Sequence, residues 1–341
     1  MKRYGYLFER VCDFCALTTA AIEAARGKKK KARVAMFLQN LETEVIALEK
    51  EVREKNYQPR PYHTFIVHDP KVRMICAADF RDRVVHHAIC KVLEPIFERS
   101  LISDTYACRK GKGTHLAIRK AQALCRRYNY FLKLDVHKFF DSVDHEILKA
   151  LLRRKIKDLD MLQLLDVFVD HAVPWTKPGK GIPIGNLTSQ HFANLYLSSM
   201  DHFIKGTLHI KGYIRYMDDL LLLSNTKERL WDAQRKVEGF LNNQLKLILK
   251  DDAVLLAPVT QGVPFLGMHV FPGVIRLSRK GWRRFRKKIM VKEDPLAWPE
   301  IDTDGLVRSV ASMVGHIRHA DTRNLRTSFF ERPGAYEALT G

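Results

Sequence analysis

The chain has 341 residues, a formal charge of +20 and a hydrophobic content of 46%, which excludes a disordered polypeptide and allows two or three subdomains with cores of their own. The basic excess implies a polyanionic partner, nucleic acid or an anionic membrane surface. No apolar run approaches ~20 residues and no signal-peptide pattern opens the chain, so a soluble, cytoplasmic protein without a membrane partner is expected.

Residues 1–58 read as helical. Phe37, Leu41, Val45 and Leu48 recur at helical spacing, as do Leu7, Val11 and Phe14. Cys12 and Cys15 have C-x-x-C spacing, yet no second pair or nearby His completes a zinc site, so packed free thiols are expected. The other cysteines, at 76, 90, 108 and 125, form no framework. Between the helical stretches, Arg26-Gly27-Lys28-Lys29-Lys30-Lys31-Ala32-Arg33 carries six basic residues in eight. It reads equally as a solvated linker or as a contact to a phosphate backbone or partner. Pro59 and Pro61 end this region. Phe65-Ile66-Val67-His68 and Val72-Arg73-Met74-Ile75, joined through Asp69-Pro70, form a hairpin carrying Lys71 and Arg73. Asp79 caps the next helix, whose buried face is Val84, Val85, Ala88, Ile89 and Val92. His86 and His87 lie on that helix without partners at ligand spacing. The stretch from Thr105 to Gly113, containing Arg109, is either a simple loop or a backbone approach to phosphate.

Tyr130-Phe131-Leu132-Lys133-Leu134-Asp135-Val136 alternates as a strand ending on an acid. Phe139, Phe140 and Asp141 follow, and Asp144 caps the next helix. Further on, Tyr216-Met217-Asp218-Asp219 sets two carboxylates beside the apolar run Leu220-Leu221-Leu222-Leu223. Burying two like charges there is costly unless a cation neutralises them. Paired acids suit Mg²⁺ and phosphoryl chemistry. A hairpin of 213–216 with 220–224, beside the strand ending at Asp135, would bring Asp135 and Asp218 together. Two cations about 3.5–4 Å apart could then activate a hydroxyl and stabilise a leaving pyrophosphate. Residues 276–290 hold eight Lys or Arg and no acid. Trp282, Phe285 and Ile289 mark a helical apolar face there, with the cations outward. Val307, Val310, Val314 and Ile317 define another helix, with His316, Arg318 and His319 near its end.

Tyr-Met-Asp-Asp, the strand-terminal Asp135 with Phe-Phe four and five positions later, the Gly181–Gln190 block and Phe265-Leu266-Gly267 occur in an order that resembles a reverse transcriptase palm. The resemblance covers roughly residues 60–330. It implies an α+β, right-hand polymerase fold: a helical N-terminal extension (1–58), fingers (59–130), a palm (131–273) with a fingers-like insertion around 150–185, and a basic helical thumb (274–341). Within 341 residues no RNase H, integrase or endonuclease segment is expected. The resemblance makes Asp135 and Asp218 the principal ligands of two Mg²⁺ ions, replaceable by Mn²⁺, with Asp219 a third carboxylate and the Val136 carbonyl a further ligand. It places Lys71 and Arg73 over the triphosphate of a dNTP and Arg109, Ile184, Gly185 and Gln190 around the nucleotide or template. Phe140 becomes the steric gate against a 2′-hydroxyl, with Phe139 in the core. Phe265, Leu266 and Gly267 form the primer grip, and Arg279, Lys280, Arg283, Arg284 and Lys287 hold the RNA–cDNA duplex by its backbone. The family's Lys before the Phe-Leu-Gly strand aligns with Ala253, three positions after Lys250, so no general acid is assigned.

Most bacterial members resemble Gln-Gly-x-x-x-Ser-Pro where this chain has Ile184 through Gln190. The Ile-Gly-Asn-Leu-Thr-Ser-Gln form is similar to reverse transcriptases of diversity-generating retroelements. That resemblance implies adenine-directed, mutagenic cDNA copied from a template-repeat RNA and a basic, pentameric accessory variability protein. Ile184 would offer shape without hydrogen bonding and so relax fidelity. The alternatives are another bacterial reverse transcriptase (retron, group II intron or phage-defence type) and a catalytically inactive RNA-binding scaffold.

Overall fold

The computed structural model describes residues 3–68, 71–293 and 303–332. Four helices open the chain: α1 (Phe8–Cys12), α2 (Phe14–Ala24), α3 (Ala32–Gln39) and α4 (Leu41–Arg53). Asp13 separates the first two by accepting the Ala16 N–H at 2.8 Å. That break turns Cys12 into the core and leaves Cys15 in solvent, so only one of the two free thiols packs as expected. Strands β1 (His63–Val67) and β2 (Arg73–Ala77) pair antiparallel, Phe65 opposite Ile75. The Asp69-Pro70 turn lies outside the described residues. Helix α5 (Phe80–Glu98) starts at Asp79, whose carboxylate accepts the Arg81 N–H. Its Val84, Val85, Ala88, Ile89 and Val92 are all buried, as their spacing requires. His86 is buried too, satisfied by Thr188 Oγ1 at 2.9 Å.

Helix α6 (Thr114–Cys125) precedes the central strand β3 (Tyr130–Asp135), which leads into α7 (Phe139–Ser142), α8 (His145–Arg153) and α9 (Leu159–Asp170). The N-terminal extension is stitched to this region: the Leu7 and Phe8 N–H groups donate to the Asp158 carboxylate at 2.6 and 3.0 Å. Helix α10 (Leu187–His202) is followed by β4 (Gly212–Tyr216), β5 (Asp219–Ser224), α11 (Lys227–Leu245) and β6 (Leu255–Pro258). The four strands form one antiparallel sheet, ordered β4-β5-β3-β6.

Both faces of that sheet are covered, which explains the unbroken leucine run. Leu132, Leu134, Leu220 and Leu222 join the large core shared with α2, α5, α9 and α10. Phe131, Ile214, Leu221 and Leu223 pack on the opposite side against α6 and a second sheet. Alternate residues of one strand thus serve two cores. The second sheet holds β7 (Val263–Phe265), β8 (Met268–Val270) and β9 (Ile275–Leu277) in sequence. Because β9 pairs with β8, Arg276 is a strand residue, and the helical C-terminal segment starts after it rather than at 274. That segment comprises α12 (Arg279–Glu293), α13 (Thr303–Ile317) and α14 (Arg323–Phe330), closed around Phe285, Ile289, Ile317 and Phe329. Val310 and Val314 pack against this cluster, whereas Val307 is 58% exposed and contributes nothing to it. No helix among the described residues is long and apolar enough to cross a membrane.

Candidate active site

The β4–β5 hairpin turns through Met217 and Asp218. Met217 adopts a φ of +53°, a left-handed conformation that is uncommon for a non-glycine residue and needs outside support. Arg215 supplies it. Fully buried, Arg215 donates to the Met217 carbonyl at 3.2 Å and to Asn194 Oδ1 at 3.1 Å. Its guanidinium also grips both oxygens of the equally buried Asp201 at 2.8 and 2.7 Å. Tyr213 donates its hydroxyl to Asp201 at 2.7 Å. The turn therefore rests on a satisfied ionic network, the condition under which a buried charge pair is tolerated.

Asp135 lies directly across from Asp219 in the sheet register. The Asp135 carbonyl accepts the Lys250 N–H at 2.9 Å and so faces away from β5. That makes Asp135 and Asp219 a non-hydrogen-bonded pair, the kind whose Cα atoms come within ~4.5 Å. Burial first, and then the charge of Asp135, push the Asp218 carboxyl up to about 6. The Asp135 carboxyl is raised as well, by burial and then by Asp219. Lys71, Lys133 and Lys250 lie close enough to Asp135 to oppose that rise, and Arg73 does the same for Asp218. The carboxylates, drawn from two strands, and the hairpin cations thus share one site.

Residues 67–270 match the reverse transcriptase (RNA-dependent DNA polymerase) family. The chain belongs to that family. It is similar to protein YkfC of Escherichia coli K12, 24% identical over 78% of each chain. It is also similar to the group II intron-encoded protein LtrA of Lactococcus lactis subsp. cremoris, 21% identical over 80% of this chain and 61% of LtrA. Among solved structures, apo telomerase from Candida tropicalis superposes with a TM-score of 0.54 at 10% identity, over 80% of this chain and 59% of that one. The reverse transcriptase thus spans less than two thirds of LtrA and of that telomerase. Its fold is the right-hand polymerase fold, mixed helix and sheet.

An all-oxygen donor set of two raised, adjacent carboxylates suits a hard divalent cation. The His137 N–H donates to Ile248 and the Lys250 N–H to Asp135, flanking Val136. The Val136 carbonyl is therefore turned away from residues 248–250, toward the side of β3 on which β5 pairs. Asp219, expected as the third carboxylate of the site, pairs with Lys133 Nζ at 3.2 Å. No group of three or more His, Cys, Asp or Glu side chains among the described residues is arranged to hold a metal. Asp135, Asp218 and the Val136 carbonyl are the residues that fit the ion.

The remaining site residues divide between two places. A cleft of about 730 Å³ is lined by Arg73, Met74, His137, Ile184 and Lys246. The Ile184 carbonyl accepts the Cys76 N–H of β2 at 2.9 Å. Gly185, at φ +124°, lies against the same strand; a Cβ there would sit 2.9 Å from the Cys76 carbonyl oxygen. Phe139 is buried in the core as expected, and Phe140, half-buried against the same core, meets it edge-on at 5.4 Å. Arg109 and Gln190, by contrast, line a different cavity with Glu94 and Lys110. Arg109 is a staple: it binds Glu98, the Ile102 and Thr105 carbonyls at 2.6 and 2.9 Å, and Thr105 Oγ1. Every nitrogen of its guanidinium group is engaged within the protein and the side chain is buried.

In the turn expected to grip the primer, Phe265 is a core ring, Leu266 packs against the same core, and Gly267 is exposed, with φ +49° and +84° at the last two. On α12, Arg279, Lys280, Arg283 and Lys287 are exposed and Arg284 is half-buried. The Lys250 ammonium pairs with Asp252 at 3.3 Å. The Arg215–Asp201 pair escaped the sequence reading, although a lone arginine inside Gly-Tyr-Ile-Arg-Tyr was a visible signal.

Proposed function

We propose that this reverse transcriptase copies RNA into DNA, joining a primer 3′-hydroxyl to the α-phosphate of a dNTP at Asp135 and Asp218. The observation that carries this reading is the coupling of those two half-buried carboxylates, one ending β3 and one in the β4–β5 turn, with Arg73 of β2 and Lys71, two residues before that strand, beside them. Bound divalent ions would supply activation of the hydroxyl and charge neutralisation of the pyrophosphate. The chain's own part is to orient the ions through Asp135, Asp218 and the Val136 carbonyl. Lys71 and Arg73 would meet the β- and γ-phosphates. The ring of Phe140 would exclude a 2′-hydroxyl.

A second cavity, of about 660 Å³, is lined by Lys28, Lys31, Arg33, Phe65, Arg83 and Asn186. It lies between the N-terminal basic run and the β1–β2 ribbon, and Phe65 is 51% exposed. Cations beside an exposed ring suit single-stranded RNA, so the unread template is assigned here. Under this reading Lys28, Lys31 and Arg33 of the basic run would contact phosphates.

The relatives named for group II introns best support a bacterial reverse transcriptase of that kinship. A second reading rests on one feature, the Ile184-to-Gln190 block. Under it the enzyme is of the diversity-generating type, with adenine-directed errors, a template-repeat RNA and a basic pentameric accessory protein. Primer extension on RNA tests the shared claim. Wild type should incorporate dNTPs, and Asp218→Ala should bind RNA equally but incorporate none; undiminished synthesis by the variant would refute the reading. Sequencing the cDNA separates the types, because only the second expects errors concentrated at template adenines.

A further inference from the structure

Helix α7, which carries Phe140, is four residues long. A single turn cannot hold itself, and its first residue follows Lys138, which sits at φ +40° with no side-chain cap. The segment 173–184 holds it instead. The Ile182 N–H donates to the Phe140 carbonyl and the Gly181 N–H to the Val143 carbonyl, each at 2.8 Å. His145 Nε2 lies 2.8 Å from the Gly181 carbonyl. Trp175 supplies the one side-chain bond to α7 itself among the described residues that comes from this segment: its indole N–H donates to Asp141 Oδ1 at 3.0 Å. Thr176 closes the loop behind it, donating its hydroxyl to the Lys180 carbonyl at 2.8 Å. Gly181 packs so tightly on Thr176 that a Cβ would lie 2.6 Å from its methyl. Two residues after Ile182, the Ile184 carbonyl accepts the Cys76 N–H of β2. Pro183 stiffens the strut between these two bonds.

We infer that Trp175 is a positioning residue for sugar selection: through Asp141 it fixes α7, and with it the ring of Phe140, on a strut that also carries the fingers hairpin. The inference rests on the polymerase reading above. Without the indole bond, α7 keeps its backbone ties but loses its lateral anchor, and the ring can give way before a 2′-hydroxyl. Discrimination suffers first, rather than the joining reaction.

The test is steady-state incorporation of dNTP against rNTP on an RNA template by Phe140→Ala, Trp175→Phe, Asp141→Ala and Asp141→Asn. Trp175→Phe and Asp141→Ala should each lower the ratio of kcat/KM for dNTP over rNTP roughly tenfold, mainly through KM for the ribonucleotide. Asp141→Asn keeps an acceptor oxygen and should keep the ratio. Trp175→Phe added to Phe140→Ala should change the ratio no further. An unaltered ratio in Trp175→Phe and Asp141→Ala, or equal losses on both substrates, overturns the inference; so does an unaltered ratio in Phe140→Ala. Absence of any RNA-templated synthesis by wild type would remove the polymerase reading and this inference with it.

Discussion

At Asp218 the side chain is raised from its ordinary 3.8 to about 6. Between those pH values the native chain holds more protons than the unfolded one. Stability therefore falls as pH rises through that window, and the loss is complete above about 6. The cost is on the order of 3 kcal/mol at most. Asp218→Asn should accordingly raise the melting temperature of the metal-free protein at pH 7.5 and gain much less near pH 4. Thermal denaturation in chelator at both pH values checks this, and an equal gain at both would contradict it. Asp135 and Asp218 were legible because an acid ending an apolar strand needs a physical reason. Phe139 was legible as the core member of its pair because adjacent side chains rarely share a face. Arg109 and Gln190 rested on family position alone, and the chain uses Arg109 to bind Glu98 instead. Asp219 was half legible: its place opposite Asp135 follows from the hairpin, whereas its ion pair with Lys133 depends on packing across the sheet.

The β4–β5 hairpin depends on what lies beneath it. Arg215→Met would leave Asp201 buried without a counter-charge, a loss on the order of 3–5 kcal/mol. Replacing both, as Arg215→Met with Asp201→Leu, should recover much of that stability in urea denaturation. It should not recover polymerisation, because the Met217 carbonyl still lacks its donor. Recovery of both would show that the network is only structural. Gly185→Ala should cost about 1–3 kcal/mol, since an alanine must take φ +124° against the Cys76 carbonyl. The same urea series measures it, and a neutral result would mean that β2 can shift away. Helix α5 and the β4–β5 hairpin were readable from periodicity and flanking residues, whereas the stripe Phe37, Leu41, Val45 and Leu48 gave no sign of the break at Asn40 that divides α3 from α4. Strand β9 was not, because three residues carry too little alternation to show against the basic run that follows.

Across the whole molecule, the proposed template and duplex contacts fall on two separate basic surfaces. Lys28, Lys31, Arg33 and Arg83 line the cavity beside the fingers ribbon. Arg279, Lys280, Arg283 and Lys287 stand exposed on α12. Alanine at any one of these four α12 positions should weaken RNA–DNA duplex binding at every sequence and flatten its dependence on log salt by roughly one unit. Titrations at several salt concentrations read this directly; an unchanged slope would place the duplex elsewhere. The net charge of +20 foretold a polyanion, but only folding shows which cations are spent on ion pairs, as Arg109 is, and which line a groove. The claim on which all of this depends is that Asp135 and Asp218 together hold the divalent ion. Manganese binding followed by electron paramagnetic resonance, without nucleotide, tests it most directly. Tight binding should disappear in Asp135→Asn and in Asp218→Asn and persist in Asp219→Asn. Wild-type binding in either of the first two would contradict the account.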